Sequence, residues 1–360
     1  MPAHSYPSAA SVPSAAQPPP PGAVPGHRPG RTLHLAAAIG GPAGRVPASV
    51  RDLALLAEGG GLDFVTLELP PGTSGGSDRA GPPDAVALLA SVAQATGRVG
   101  LVPVVPVVPG AAAAAAAGAG AASGAAASEV AAAVEALDFV SRGRAGWALN
   151  PPGPPPRPRG RGRPAERPAA VWRAAGETAA AVTALWRGGS GRPAAPPVTV
   201  LDATERAARP VAARHADVAL VRAARAEDVA AVGADLRRLA AAAGRDPDRL
   251  LVLADLSVDL GGGEVGAEPG AEVALLPDGS GGIRFRGGPV DLAELVASWQ
   301  REAAVDGFHV RPVEPARGLE RFVNGTVALL QHRGLFRSFH PGATLREHLG
   351  LHRPARAMPL

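Results

Sequence analysis

Two polar residues follow apolar runs of the sequence, at positions where they could act on a bound ligand. Glu68 ends the run 63–68, and Asn150 directly follows the apolar run 145–149. A carboxylate can orient a ligand by accepting hydrogen bonds, and an amide can both donate and accept them. Each residue also has a purely structural interpretation, with Glu68 as a solvated loop residue and Asn150 as a turn residue ahead of two prolines. The sequence alone leaves both interpretations open.

A third candidate is the segment Asp202-Ala-Thr-Glu-Arg206, which follows another apolar run and is predicted to open a helix. Backbone N–H groups at a helix N-terminus bind anions. Thr204 and Arg206 are therefore candidate ligands for a phosphate group. The alternative is that Thr204 or Asp202 only caps the helix. Asp202 and Glu205 also place two negative charges at this turn, and these would repel a phosphate.

Histidine and cysteine usage narrows the remaining chemistry. The chain has nine histidines without a metal-ligand spacing, and it has no cysteine, which excludes disulfides, thiolate zinc sites and cysteine nucleophiles. His309 lies in a predicted strand, where it either points into the mouth of the fold or is a core histidine. We predict no metal site, and we assign no catalytic residue.

The elements that must position these residues alternate between strand and helix. Helices are predicted between and after eight strands, which cover residues 32–38, 63–68, 99–105, 145–149, 198–201, 217–221, 250–258 and 307–310. The strand 145–149 is apolar without alternation, as is typical of parallel strands that are covered on both faces. This count predicts an α/β protein with a (β/α)8 barrel, whose active site would lie at the C-terminal ends of the strands.

Several segments of the chain resemble luciferase-like flavin-dependent monooxygenases, particularly their nitrilotriacetate and dibenzothiophene-sulfone monooxygenase branch. They are Leu137-Asp-x-x-Ser141-x-Gly-Arg144-x-Gly-Trp147, Val305-Asp-Gly-Phe308, Leu330-Gln-x-Arg-Gly334 and Thr344-Leu-Arg-Glu-x-Leu-Gly-Leu351. The last three follow one another in the family's order. The resemblance covers about residues 31 to 355 and implies a TIM barrel like that of bacterial luciferase.

The resemblance also implies a cofactor, partners and roles for the candidate residues. Members of this family take reduced FMN from a separate flavin reductase and use O2 to oxygenate a small organic substrate. By resemblance, Glu68 and Asn150 would contact the flavin ring, and Thr204 with Arg206 would bind the phosphate. A deazaflavin cofactor is compatible with the same fold and stays open. Relatives commonly associate through barrel helices, so a homo-oligomer is also possible.

The sequence departs from the family at the third strand and the loop after it. The family typically directs hydroxyl groups at the flavin from this strand, whereas this chain has Val104-Val-Pro-Val-Val-Pro-Gly110. The family's tyrosine after the fourth strand is also absent. We therefore predict an eroded flavin site that binds FMN weakly. The alternative is a catalytically inactive barrel homologue that serves as a binding or structural protein.

Composition and charge bound the remaining possibilities. All 36 basic residues are arginine and the net charge is +4. Because arginine accompanies a general excess of alanine, glycine and proline, we do not predict nucleic-acid binding. Only 3% of residues are aromatic, so the core must consist mainly of alanine, valine and leucine. No long run of large apolar residues and no signal-peptide pattern is found, which favours a cytoplasmic protein without membrane contact.

The domain organisation follows from composition. Residues 1–30 are predicted to be a disordered tail because they contain almost no large apolar side chain. Residues 31–355 form the barrel domain, with low-complexity insertions near 106–127 and 151–168. An excursion near 261–288 is predicted to contain a hairpin with residues 272–276 and 282–286 as its arms.

Two groups of residues carry predictions about packing. Four apolar residues around the central turn are predicted to be buried: Leu137, Val140, Trp147 and Leu149. Three leucines near the C-terminus are predicted to pack back against the barrel as a short helix: Leu345, Leu349 and Leu351. Between these leucines, Arg346 and Glu347 are expected to face outward or to pair locally.

Overall fold

The structure is a computed structural model that describes residues 32–40, 49–69, 84–106, 120–151, 169–188, 195–261, 272–303 and 305–351. The predicted tail 1–30 lies outside these residues, as does the predicted insertion 151–168 apart from its first residue. Parts of the other two irregular segments, 107–119 and 262–271, also lie outside them.

Ten strands form one sheet, of which eight parallel strands close into a ring. The strands are β1 (His34–Ala38), β2 (Phe64–Leu67), β3 (Gly100–Pro106), β4 (Gly146–Asn150), β5 (Val198–Asp202), β6 (Val218–Val221), β7 (Leu251–Asp259), β8 (Ala274–Pro277), β9 (Ile283–Arg286) and β10 (Gly307–Pro312). β10 closes the ring because it pairs with β7 on one side and with β1 on the other. This confirms the predicted (β/α)8 barrel.

A helix follows each strand of the ring. These helices are α1 (Val50–Gly59), α2 (Asp84–Ala93), α3 (Gly120–Ser141), α4 (Ala169–Gly188), α5 (Arg209–His215), α6 (Ala226–Ala242), α7 (Pro289–Ala303) and α8 (Pro315–Arg321). α8 continues through a π-helical turn, Phe322–Val327, into α9 (Ala328–His332). A last short helix, α10 (Leu345–His348), has a capping box between Thr344 and Glu347.

The predicted hairpin is present and lies at the C-terminal end of the barrel. β8 and β9 are antiparallel to each other. β9 then pairs in parallel with the last three residues of β7, where Ser257 lies opposite Arg284 and Asp259 opposite Arg286. The hairpin therefore extends the wall of the barrel only at its mouth.

The turn between α3 and β4 is held by a buried arginine. Arg142 and Gly143 adopt left-handed backbone conformations, with φ of 59° and 85°. Arg144 then points back into the protein, and its guanidinium donates to the carbonyl oxygens of Ser141, Val99, Ala93 and Thr96 at 2.8–2.9 Å. These hydrogen bonds stabilise a charged group that is only 4% exposed. They join the end of α2, the start of β3 and the turn before β4.

The C-terminal segment closes the N-terminal end of the barrel, which we call the floor. As predicted, Leu345, Leu349 and Leu351 are buried there, in one cluster with Phe64 and other barrel residues. The close approach requires glycine in the strands. A Cβ atom on Gly100 would lie 2.6 Å from Leu345 Cδ1.

Two predictions about the central segment are wrong in detail. α3 begins at Gly120, so eight residues that were assigned to the insertion 106–127 belong to this helix. Val140 is 42% exposed rather than buried, whereas Leu137, Trp147 and Leu149 are buried as predicted. The buried face of α3 runs from Val134 and Leu137 to Ser141. Val140 lies outside this face and is therefore directed towards solvent.

The prediction for Arg346 is also wrong. Its guanidinium donates to the Pro196 carbonyl oxygen at 2.7 Å and to Asp217 at 2.7 Å, so its partners are distant in sequence. Glu347 pairs locally, as predicted, because its carboxylate accepts from the backbone N–H groups of Ala343 and Thr344.

Candidate functional site

A cavity of about 550 Å³ opens at the C-terminal ends of the barrel strands, which we call the mouth. Cavities of roughly 300–1,000 Å³ typically hold small-molecule ligands. Part of its wall is apolar and comes from short side chains, including Ala38, Val104 and Ala148. Polar side chains reach it from five strands of the ring and from the residue after β6. The cavity therefore lies where (β/α)8 barrels place their active sites.

Glu68 and Asn150, both predicted site residues, lie in contact at the cavity wall. The Asn150 side-chain amide donates a hydrogen bond to Glu68 Oε1 at 2.6 Å. Both side chains are half-buried and line the cavity. Glu68 follows β2 and Asn150 ends β4, and β3 lies between these strands, so no local pattern indicates this contact. The pair presents a carboxylate and an amide to the cavity.

At the end of β5, where a phosphate-binding turn was predicted, the structure has the carboxylate of Asp202. Asp202 Oδ1 accepts the backbone N–H of Thr204 at 2.9 Å, and Asp202 Oδ2 forms an ion pair with the guanidinium of Arg222. The Thr204 hydroxyl oxygen accepts the backbone N–H of Arg222 at 3.0 Å. An incoming phosphate would need the same two donors, Thr204 N–H and the Arg222 guanidinium. Asp202 therefore already occupies both donors at this turn.

The helix predicted to begin at Thr204 begins later. A 3-10 turn, Arg206–Ala208, comes first, and α5 starts at Arg209 with Pro210 in its first turn. Proline lacks an N–H group and fits only the first turn of a helix, which fixes this start. Arg206 is exposed and does not line the cavity. The Glu205 carboxylate contacts a different residue, because it accepts a hydrogen bond from Trp172 Nε1 at 2.9 Å.

A buried carboxylate, Asp255, lies at the centre of the polar wall. It is 6% exposed, and its Oδ1 contacts His309 Nδ1 at 2.8 Å and Arg311 Nε at 3.0 Å. Arg222 Nε lies 3.7 Å from Oδ2. Burial alone would raise the pKa of Asp255, but Arg311 and His309 outweigh burial and hold this pKa well below its usual range. Asp255 is therefore a carboxylate at neutral pH.

His309 combines the two interpretations that the sequence left open. It is 3% exposed and has partners on both ring nitrogens, like a core histidine. It also lines the cavity, where its Nε2 lies 2.9 Å from the Thr66 hydroxyl oxygen.

The hairpin contributes to the same wall. Arg311 Nη2 donates to Asp278 Oδ2 at 2.9 Å, which ties the hairpin turn to β10. Burial would raise the pKa of Asp278, but hydrogen bonds from Ser280, Arg311 and Gly282 lower it below its usual range. Arg284 of β9 also lines the cavity and is exposed.

The sequence did not single out Arg222, Asp255 or Arg311. Asp255 is 33 residues from Arg222, 54 from His309 and 56 from Arg311, so no local spacing marks these residues. One signal was available, because Asp255 is the only charged residue in the apolar run 250–258. At β3, Val104 lines the cavity with an apolar side chain. The eroded flavin site stays a prediction.

Comparison with known proteins relates this chain to one family by sequence and to further proteins by fold. The sequence profile of the family described as luciferase-like monooxygenase matches residues 30–262, more than half of the chain. The chain belongs to this family. The resemblance noted in the sequence is thereby confirmed, and with it the relation to enzymes that are monooxygenases.

Characterised relatives of this luciferase-like protein match over short segments. N-acetyl-S-(2-succino)cysteine monooxygenase of Bacillus subtilis (strain 168) is 44% identical over 70 residues, which are 19% of this chain and 16% of the relative. Nitrilotriacetate monooxygenase component A of Aminobacter aminovorans is 40% identical over 79 residues, 22% of this chain and 17% of the relative. These alignments span less than a fifth of each relative's length.

Solved structures share the fold of this luciferase-like protein over most of its length. EDTA monooxygenase from Chelativorans sp. BNC1 superposes with a TM-score of 0.65 at 17% identity, covering 90% of this chain and 99% of the other. The coenzyme F420-dependent tetrahydromethanopterin reductase from Methanopyrus kandleri gives a TM-score of 0.53 at 14% identity, covering 83% and 99%. Within the described residues, none of the helices has the length and apolar character needed to cross a membrane.

Proposed function

We propose that the protein is a flavin-dependent monooxygenase that uses reduced FMN and O2 to oxygenate a small organic substrate. The observation that carries this proposal is the cavity at the mouth of a luciferase-like barrel, with one apolar wall and one polar wall. When bound, reduced flavin supplies the two electrons that O2 needs to react with an organic compound. The protein's part is to bind and orient the cofactor and substrate and to limit access of water.

The cavity suits a flavin ring. Its volume is sufficient for a flat aromatic group, and Ala38, Val104 and Ala148 offer small apolar contacts. An isoalloxazine ring also has a hydrogen-bonding edge, which needs fixed donors and acceptors. We assign that role to the Glu68–Asn150 pair, because the hydrogen bond between them fixes both side chains at the wall.

The phosphate is less well provided for. We assign it to the turn at Thr204, with Arg206 as an additional positive charge, as the family resemblance implies. Asp202 already accepts from Thr204 N–H and from Arg222, so a phosphate would have to displace it or share its donors. Each hydrogen bond that a buried polar group loses costs about 1–3 kcal/mol. With two or three lost here and at β3, a micromolar site weakens to roughly millimolar.

The remaining roles are proposed from the relatives. One relative is designated component A of a nitrilotriacetate monooxygenase, which supports a separate flavin reductase as partner. A structural neighbour uses coenzyme F420, so a deazaflavin is the second candidate cofactor. We propose a homo-oligomer and a cytoplasmic location on the same family basis.

Titration of the purified protein with FMN tests the proposal. We expect quenching of flavin fluorescence with a dissociation constant of roughly 0.1–1 mM or weaker. A parallel titration with coenzyme F420 separates the two cofactors, because only the true cofactor should saturate. A tight, low-micromolar FMN site would contradict the eroded site. If neither cofactor binds, the inactive barrel homologue replaces the monooxygenase as the interpretation.

A further inference from the structure

Three side chains in the mouth form a continuous hydrogen-bonded series: a carboxylate, an imidazole and a hydroxyl. Asp255 Oδ1 lies 2.8 Å from His309 Nδ1, and His309 Nε2 lies 2.9 Å from the Thr66 hydroxyl oxygen. The three residues come from β7, β10 and β2, so only closure of the ring brings them together. Each is less than 10% exposed, and each lines the cavity.

The state of Asp255 fixes the tautomer of the neutral histidine. An ionised carboxylate only accepts hydrogen bonds, so His309 must carry its proton on Nδ1. Nε2 then has a lone pair and accepts the Thr66 hydroxyl proton. When the ring gains a second proton, Nε2–H donates to Thr66 and the Thr66 O–H becomes available to the cavity. Both protonation states therefore keep both hydrogen bonds, and the ring exchanges a proton without moving.

The charged groups around the ring come from the neighbouring elements. Arg311 on β10 and Arg222 after β6 both face Asp255, and they in turn bind Asp278 and Asp202. On the other two sides the ring meets uncharged residues. Ala36 of β1 lies opposite His309 in the sheet, and the Phe64 ring of β2 stacks with it at 6.3 Å. Among the described residues, Asp255 is the charged group that hydrogen-bonds the imidazole.

We propose that Thr66, His309 and Asp255 form a proton relay that serves a ligand bound in the cavity. A ligand group X–H at Thr66 gives its proton to the Thr66 oxygen, while the Thr66 proton passes to His309 Nε2. The balance is X–H plus neutral imidazole giving X⁻ plus imidazolium, and Asp255 stabilises the positive charge. The reverse transfer returns the proton to the product.

This relay deepens the proposed function, on which it rests for the reaction it would serve. It narrows the substrate class to compounds with an exchangeable proton near the reacting centre, such as a phenol, a thiol or an ammonium group. Oxygenation of such compounds benefits from removal of that proton, because the anion or free amine is the better electron donor. Asp255 and His309 are positioning and proton-holding residues, and Thr66 is the residue that touches the ligand.

Nitrogen-15 NMR of the full chain with labelled histidine tests the relay without any flavin. We expect the neutral His309 ring to carry its proton on Nδ1 and to accept the Thr66 hydroxyl proton at Nε2. The signals are assigned by their loss in His309→Asn, or, if that variant does not fold, by their loss in His309→Gln. A neutral ring protonated on Nε2 would overturn the proposal.

The Thr66 variants form a matched pair. Thr66→Val removes the hydroxyl with little change in volume, so we expect the Nε2 signal to shift by several parts per million. Thr66→Ser keeps the hydroxyl and should reproduce the wild-type signal. An unchanged Nε2 signal in Thr66→Val would show that the hydroxyl and the ring are not coupled, and the relay would be wrong. Because no flavin is present, these outcomes are separate from a failure of FMN to bind.

Discussion

Each end of the barrel contains a buried aspartate in contact with a histidine. At the mouth, Asp255 contacts His309 at 2.8 Å, and at the floor Asp63 contacts His34 at 3.1 Å. An arginine also contacts each aspartate. At the mouth, Arg311 Nε lies 3.0 Å from Asp255 Oδ1, and at the floor a second arginine contacts Asp63. The residue types are therefore the same at both ends, and the difference lies in what surrounds them.

At the floor, the arginine comes from the C-terminal segment. Arg337 Nη2 contacts Asp63 at 3.0 Å and also donates to the Gly61 carbonyl oxygen at 2.9 Å. Asp63 accepts in addition from the backbone N–H of Leu35 at 2.8 Å. All these partners are structural, so the group fastens the C-terminal segment to the ring. At the mouth, the corresponding aspartate, histidine and arginine line a cavity, and the Thr66 hydroxyl contacts the histidine. The comparison shows that the same residue types lie among structural contacts at one end of the barrel and beside a cavity at the other.

The largest effect on stability should come from removing apolar contacts between the C-terminal segment and the floor. Leu345 is fully buried, and Leu345→Ala should lower the free energy of unfolding by about 2–5 kcal/mol. Truncation after Arg337, which removes all three docked leucines, should cost more. Leu276→Ala is the control, since Leu276 is 41% exposed at the mouth. Urea denaturation measures both, and equal midpoints for the two variants would contradict the docking of the C-terminal segment.

Removing the floor carboxylate should come next. Asp63→Ala leaves Arg337 without its buried partner, and breaking such a pair costs about 3–5 kcal/mol at most. Burial would raise the pKa of Asp63, but His34 and Arg337 lower it below its usual range. The unfolded chain therefore binds the proton more tightly, so this contribution is present above about pH 4 and is lost as pH falls further.

Acid denaturation of wild type and Asp63→Ala checks that sign. The stability difference between them should be constant near neutral pH and should shrink below about pH 4. Asp228→Ala, at an exposed position on α6, is the control for loss of a carboxylate alone. A difference that grows on acidification would contradict the assigned direction.

A third variant should stabilise the floor. Burial raises the pKa of Asp138 to about 6, despite a hydrogen bond from Ala145 N–H at 3.2 Å. The folded protein thus binds this proton more tightly than the unfolded chain, so stability falls as pH rises from about 4 to 6. Asp138→Asn keeps an acceptor without a charge and should add about 1–3 kcal/mol at pH 8. Near pH 4 we expect no difference in melting temperature, and a gain at both pH values would argue against a titrating carboxylate.

The smallest effects concern the mouth and its predicted cofactor. Asp202→Asn removes the charge that competes for Thr204 N–H and Arg222, and it should tighten FMN about tenfold, or 1.4 kcal/mol. Thr204→Ala should weaken FMN a few-fold. Fluorescence titration measures both, with Asp228→Asn as a charge control away from the cavity. If Asp202→Asn binds FMN no better than wild type, the phosphate is not held at this turn.

The fold was largely predictable because its signals are local. Apolar runs such as 250–258 and the turn at Gly143 mark strands and boundaries directly, and the alternation of strands and helices then implies the barrel. Val140 was misplaced for a physical reason: spacings of three and four residues both fit a helix. Ser141 is buried, and its carbonyl oxygen accepts a hydrogen bond from Arg144. This burial determines which face of α3 is turned towards the core.

The site was predictable only in part because its contacts are not local. Glu68 and Asn150 were found from their positions after strands, but their contact spans 82 residues. Asp255 and Arg311 are 56 residues apart, and Thr66 and His309 are 243 apart. Such pairs acquire meaning only when the ring closes and fixes the register of β10 against β7. The roles of the four predicted cofactor residues stay predictions.

The hairpin of β8 and β9 has a consequence for how the shape of the cavity could change. It joins the barrel through three residue pairs at the tip of β7, outside the eight-strand ring. It nevertheless supplies Arg284 to the cavity and Asp278 to Arg311. Exchanging its exposed residues, such as Arg284, would change one side of the cavity while the eight-strand ring stays intact. Ile283 and Phe285 are buried in the core instead, at 4% and 0% exposure, so alternate residues of one strand separate the shape of the cavity from the stability of the scaffold.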